Sequence, residues 1–376
     1  MADASVGVVQ AQRVDLPVET GGMSLESGAT LPEVVVQYET YGRLSAGRDN
    51  VILVLHAFSG DAHAAGVHSS EDRHPGWWDE MIGPGKAFDT NRFHVICANV
   101  LGGCQGTTGP GSVNPATQRP YGLAFPMVTI GDMVDVQHRL LEVLGITRLY
   151  AVAGGSMGGM QALEWAVRYP TMVERALVLA STARLNSQGI AFNAVGRNAI
   201  MSDPNWNGGN YYHGPQPAQG LAIARMVGHI TYLSSESMRQ KFGRRFQTGE
   251  AGNLSFNDQF EVESYLSYQG EKFVDRFDAN SYIYLTKAMD HYDLAESYGG
   301  MQQAMQRARA SFLVLSYSSD WLFPTEQSKE IVYALARAGR DVSFNEIQSP
   351  YGHDSFLLEA ALQSELISAF LTGKKR

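Results

Sequence analysis

Short runs of apolar, largely β-branched residues recur along the chain, at 34–38 (VVVQY), 51–55 (VILVL), 94–98, 149–153, 176–180, 312–315 and 342–347. Several show no polar alternation, which is the pattern of strands buried on both faces of a mostly parallel sheet. Between them the spacing becomes helical. Over Thr129 to Leu144, Ile130, Met133, Val134, Val136, Leu140, Leu141 and Leu144 fall mostly on one face, and Gly145 ends the run. A second helix is predicted from Met157 to Arg168, directly behind a strand. A third covers Glu326 to Ala338, with Thr325 as its N-cap and Gly339 as its stop, and a last one covers Ser355 to Leu371.

Strand and helix alternate over about 30–183 and again over about 310–371, which is an α/β arrangement. The middle breaks this rhythm. From about Leu185 to Ala308 the pattern is helical with no convincing strand, and it includes the turn-rich stretch 203–210 (DPNWNGGN). The expected organisation is a core in two parts, 1–184 and 309–376, with a helical lid inserted at 185–308.

Composition narrows the function. With 44% hydrophobic and 18% charged residues the 376-residue chain has ample material for a buried sheet. Its net charge of −9 argues against general nucleic-acid binding, which needs a basic surface. Two cysteines, Cys97 and Cys104, make no disulfide framework and have no metal-binding spacing. There is no secretory signal pattern and no apolar run near the ~20 residues of a membrane span. A cytoplasmic location is the expectation.

Residues 154–158 (GGSMG) fit G-x-S-x-G, in which a sharp turn between strand and helix lifts a serine hydroxyl above the sheet. The bare pattern is common; the strand before it and the helix after it are what the mechanics require. A serine nucleophile needs a base, and the base needs a carboxylate to set its tautomer. In the α/β-hydrolase fold the chain order is Ser, acid, His. Asp320 follows the strand at 312–315 and His353 follows the strand at 342–347, so Ser156, Asp320 and His353 are the candidate catalytic residues. The oxyanion needs two N–H donors. The Met157 amide is one, and the Phe58 amide, in the loop after 51–55, is the other. Cys104 lacks the elbow setting. His63, His68 and His74 have no helical metal-pair spacing, and no metal is assigned.

Five stretches, 55–63 (LHAFSGDAH), 99–110 (NVLGGCQGTTGP), 153–161 (AGGSMGGMQ), 224–232 (ARMVGHITY) and 288–293 (AMDHYD), together resemble homoserine O-acetyltransferase, and the likeness runs from about Glu33 to Phe370. The resemblance implies an α/β-hydrolase fold, a homodimer, and transfer of an acetyl group from acetyl-CoA to L-homoserine on the way to methionine. It implies no bound cofactor; acetyl-CoA is a co-substrate. It adds Arg225 and Asp354 as substrate contacts. That pairing suits a zwitterionic acceptor, because a cation meets the carboxylate and an anion meets the ammonium. Phe58 departs from the smaller aliphatic expected there and would narrow the acyl pocket. Arg239, Lys241, Arg244 and Arg245 form a basic cluster for CoA phosphates or a solvated helix face. Close rivals are a succinyl donor, a serine acceptor or a plain esterase; a ligand-binding sensor on the same fold is a more distant one.

Overall fold

The computed structural model describes residues 5–247 and 259–373. Eight strands form one sheet: β1 (Gln12–Asp15), β2 (Val35–Tyr41), β3 (Val51–Leu55), β4 (His94–Ala98), β5 (Ala151–Gly155), β6 (Arg175–Leu179), β7 (Ser311–Tyr317) and β8 (Val342–Ile347). Their spatial order is β1-β2-β4-β3-β5-β6-β7-β8. The first two pairings, β1 with β2 and β2 with β4, are antiparallel, and every later one is parallel. Strands β3, β5 and β6 are buried at every position, as their unbroken apolar runs require. This is the α/β-hydrolase architecture.

Helix α2 (Met157–Arg168) packs on β3, β5 and β6, and α1 (Ile130–Val143) packs on α2. The start of α1 is fixed by a reciprocal cap. The Thr129 hydroxyl accepts from the Asp132 amide at 3.0 Å, and the Asp132 carboxylate accepts from the Thr129 amide at 2.9 Å.

Between β6 and β7 lie α3 (Ser187–Ser202), α4 (Ala218–Tyr232), α5 (Ser235–Lys241), α6 (Glu261–Val274), α7 (Ala279–Asp290), α8 (Leu294–Ser297) and α9 (Met301–Arg307). Helices α3, α4, α6 and α7 pack on one another as a cap. Helix α9 differs: it packs on α2 and on α10 (Thr325–Arg337), so the end of the segment predicted as lid belongs to the core layer. Residues 1–4 and 374–376 of the predicted core and 248–258 of the predicted lid lie outside the described residues.

Three other sequence expectations are corrected. Strand β5 runs through Gly154 and Gly155, which pair with Leu55 and Leu179, rather than ending at Ala153. Thr325 is the first residue of α10 and not its cap; its hydroxyl bonds the buried Ser316 hydroxyl at 3.0 Å, and Pro324 takes the cap position. The last helix is two, α11 (Ser355–Leu358) and α12 (Ala360–Thr372), interrupted at Glu359 (φ −85°, ψ 46°). Among the described residues no helix is long and apolar enough to cross a membrane.

Candidate active site

The elbow is a backbone device. Ser156 sits at φ 58° and ψ −124°, a conformation that L-residues avoid, between the end of β5 and the first turn of α2. Its amide donates to Leu179 O at 3.0 Å, and its carbonyl accepts from the Ser181 hydroxyl at 2.7 Å. The close crossing of strand and helix needs glycine on both sides. A Cβ on Gly158 would stand 2.0 Å from Leu55 O, and one on Gly154 would stand 2.4 Å from the Gly158 backbone. Ser156 itself is 7% exposed and opens into a small cavity walled by Phe58, Tyr232, Tyr282, Met289 and Phe323.

The structure brings Asp320 and His353 together. His353 Nδ1 donates to Asp320 Oδ2 at 2.8 Å, and Asp320 Oδ1 accepts from the Leu322 and Phe323 amides at 3.0 and 2.9 Å. Those two amides orient the carboxylate so that its free oxygen faces the imidazole. The His353 ring lies among Tyr232, Phe323 and Phe356, with centroids 5.0–6.0 Å away; Tyr232 and Phe323 also wall the Ser156 cavity. Burial disfavours the imidazolium, but the charge and hydrogen bond of Asp320 outweigh it, and His353 titrates above the usual histidine range.

The cap holds this geometry from above. The Trp321 indole N–H donates to Leu233 O at 3.0 Å, and the Ser234 hydroxyl donates to Pro350 O. One short segment at the end of α4 is thereby tied to both the acid loop and the base loop. Gly352, at φ 72°, lies so close under it that a Cβ would be 2.5 Å from the Ser234 amide nitrogen.

On the other side of the cavity, the loop after β3 makes a turn in which Gly60 N donates to Ala57 O at 2.9 Å, which leaves the Phe58 N–H outside the turn's own bond. The Met157 N–H is at the first position of α2, where an α-helix has no internal partner for it. His56 braces the loop: its ring spans Ala57 O (2.8 Å) and Val100 N (3.2 Å), and burial lowers its pKa, so it stays neutral. The Phe58 ring packs edge-on to Tyr282 at 5.0 Å and narrows the cavity.

Arg225 reaches down from α4. Its Nη1 donates to the Ser59 hydroxyl at 3.2 Å, and its guanidinium stacks 4.6 Å from the Phe273 ring centre. It forms no ion pair with a described residue. Asp354 precedes α11 without capping it. Burial pushes its carboxyl up to about 6, against the opposing pull of His353 and Arg225.

Other sequence candidates fall elsewhere. Burial pushes the Cys104 thiol up to about 12, and it lines a separate surface cleft. Within the basic cluster, Arg239 pairs with Glu236 (2.6 Å) and Arg245 with Glu261 (2.7 Å), while Lys241 lies 4.2 Å from the Tyr265 ring and Arg244 5.7 Å from that of Phe260. His63 and His68, to which the sequence assigns no metal, converge on the buried Glu39 at 3.0 and 2.6 Å. Their ligand-type atoms lie within 4.8 Å of one another, and both rings are engaged with the carboxylate oxygens. Sequence reasoning gave no role to Ser59 or Arg276. Arg276 donates to Ser59 O at 3.0 Å across 217 positions, a proximity that no local spacing announces.

Comparison with known proteins agrees with this architecture. Residues 50–360 match the family model described as alpha/beta hydrolase fold. A homoserine O-acetyltransferase from Solidesulfovibrio magneticus is 55% identical over 98% of this chain and 93% of its own. A homoserine O-succinyltransferase from Magnetococcus marinus is 53% identical over 98% and 95%. Among solved structures, homoserine O-acetyltransferase from Bacillus anthracis superposes with a TM-score of 0.91 at 32% identity, covering 98% of both chains. Esterase E22 superposes at 0.88 with 33% identity, over 97% of this chain and all of its own. With identity above half across almost the whole length, and with the elbow, the cap and the acid and base loops all present, the chain belongs to the homoserine O-acetyltransferase family of α/β hydrolases.

Proposed function

We propose that this protein transfers an acetyl group from acetyl-CoA to the side-chain hydroxyl of L-homoserine through an acyl-serine on Ser156. The observation that carries this reading is that Arg225, 5.5 Å from the Tyr232 ring that in turn lies against His353, and Asp354, next to His353 in the chain, form no ion pair with a described residue. A plain esterase needs the nucleophile and base but has no use for a free cation and a free anion near them, whereas a zwitterionic acceptor calls for both.

In the first half, His353 takes the Ser156 proton as Oγ attacks the thioester carbon. The developing oxyanion faces the Phe58 and Met157 amides. The C–S bond then breaks, and CoA leaves with the proton returned by His353, giving a serine ester. In the second half, homoserine is held by its carboxylate at Arg225 and its ammonium at Asp354. His353 takes its hydroxyl proton as the homoserine oxygen attacks the ester carbonyl; the C–O bond to Ser156 then breaks, and His353 returns the proton to Ser156 Oγ, leaving O-acetyl-homoserine. The cap excludes water, the competing acceptor.

Acetyl is favoured over succinyl by the cavity itself. No charged residue walls it among the described residues, so the distal carboxylate of a succinyl group would be buried without a partner. The test is CoA release from acetyl-CoA and succinyl-CoA, each with and without L-homoserine or L-serine. Fast release only with acetyl-CoA and homoserine is expected. Release independent of any acceptor would make the protein a hydrolase, and a preference for succinyl-CoA would move it to the other acyl donor.

The two half-reactions should differ in pH dependence. As a base His353 must be neutral, so both halves speed up as pH rises through its titration. Asp354 must be ionised to hold the ammonium, so the acceptor half loses a second factor as pH falls below about 6. Log kcat/KM for homoserine should then fall with a slope approaching about two, and that for acetyl-CoA with about one. Equal slopes would remove Asp354 from the acceptor site.

A homodimer is proposed as well. Ile190, Val195 and Met201 on α3 and Ile223 and Ile230 on α4 leave apolar surface in solvent on the cap. Sedimentation should show a dimer that Val195→Asp with Ile223→Asp dissociates; a monomeric unaltered protein would refute it.

A further inference from the structure

Beside the Ser156 cavity lies an open cleft lined by Arg225, whose guanidinium stands 5.5 Å from the ring of Tyr232, a wall of the Ser156 cavity. Its walls include Ser59, Trp77, Lys272, Phe273 and Arg276. Arg225 and Arg276 grip the same residue, one through the Ser59 hydroxyl and the other through its carbonyl. Neither of them, nor Lys272, forms an ion pair with a described residue. One carboxylate, Asp61, joins the lining, and one of its oxygens is taken by the His63 amide at 3.0 Å. Three unpaired cations converging in a protein of net charge −9 is a costly arrangement. Burial and the neighbouring Arg225 both work against the Arg276 charge. Such a cluster is relieved when a multiply charged anion binds.

We infer that Arg276 and Lys272 bind the phosphate groups of the acyl-CoA donor at the mouth of the active site, while Arg225 stands at the inner wall for the acceptor carboxylate. This rests on the acyl-transfer reading above. It also moves the phosphate contacts from the 239–245 cluster, where two of the arginines already have carboxylate partners, to cations that have none. The arrangement fits the donor's shape. With the thioester at Ser156, the pantetheine arm passes Arg225 and the nucleotide phosphates emerge in the outer cavity.

The test compares two donors, acetyl-CoA and S-acetyl-N-acetylcysteamine, a short thioester without phosphate. For each, kcat/KM is measured with saturating homoserine in the unaltered protein, Arg276→Ala, Arg276→Lys and Lys272→Ala. The ratio of acetyl-CoA to short-thioester kcat/KM should fall about 10-fold for each alanine variant, and Arg276→Lys should recover part of the loss. Lys272 is exposed, so its replacement tests the idea without threatening the fold. An unchanged ratio in both alanine variants overturns the inference. So does a loss confined to the KM for homoserine, which would place these cations on the acceptor. Absence of turnover by the unaltered protein with either donor would overturn the acyl-transfer reading itself, and this assignment with it.

Discussion

Ser156→Ala is expected to lower acetyl-CoA turnover by at least about 10⁴-fold and to abolish the acetylated form of the protein on intact mass measurement. The reason lies in the half-reactions. Both pass through the same ester oxygen, so without it no second nucleophile is in place at the end of β5. Homoserine would have to attack the thioester directly, in a site shaped to receive the two substrates in turn. The oxyanion amides survive the change, since Phe58 and Met157 contribute backbone, and some residual rate should remain. Because the elbow turn is held by the Leu179 and Ser181 contacts to the Ser156 backbone, the variant should fold. Retention of more than about 1% of turnover would mean that the acyl group does not travel through Ser156.

The second large effect is expected for Asp320→Asn, at about 10⁴-fold in kcat. An asparagine can still accept the Leu322 and Phe323 amides with its carbonyl oxygen, so the loop keeps its shape. The group left facing His353 Nδ1 is then an NH₂ donor. Nδ1 must offer its lone pair, and the proton moves to the nitrogen that should receive the serine proton. Asp320→Ala would also remove the carboxylate, but it would disturb the loop; the asparagine isolates the tautomer. A loss below about 10-fold would show that His353 is oriented by its aromatic neighbours alone.

Sheet and nucleophile were legible from local pattern because they depend on neighbours in sequence. A fully buried strand needs apolar residues on both faces, so β3 and β6 stand out as continuous runs. The elbow needs small residues on either side of a serine, so residues 154–158 announce it. The same logic misplaced the end of β5: Gly154 and Gly155 resemble turn residues, yet they pair as strand because β3 and β6 flank them and α2 crosses above. Thr325 looked like a helix cap for the same local reason, until the buried Ser316 hydroxyl claimed its side chain.

The substrate end of the site was less legible. Arg225 and Asp354 were placed by resemblance, and their spacing in the chain says nothing about the side chains that surround each of them. Arg276 left no local signal, because its partner is the carbonyl of Ser59 on a different layer. The basic cluster at 239–245 was legible only as charge, with CoA phosphates and a solvated helix face both open. Charge density is visible in sequence, whereas the carboxylates that neutralise Arg239 and Arg245 are found only after the helices pack.

By itself the sequence determined the layered α/β order, the elbow with its serine, and the chain order of acid and base, since each follows from periodicity or from a fixed position after a strand. Tertiary structure alone decided which cations remain unpaired, how Tyr232, Leu233 and Ser234 bind the acid and base loops to the cap, and what polarity the Ser156 cavity has. Those properties are sums over groups distant in sequence, and an unpaired charge or an apolar cavity wall exists only once all of its neighbours are in place.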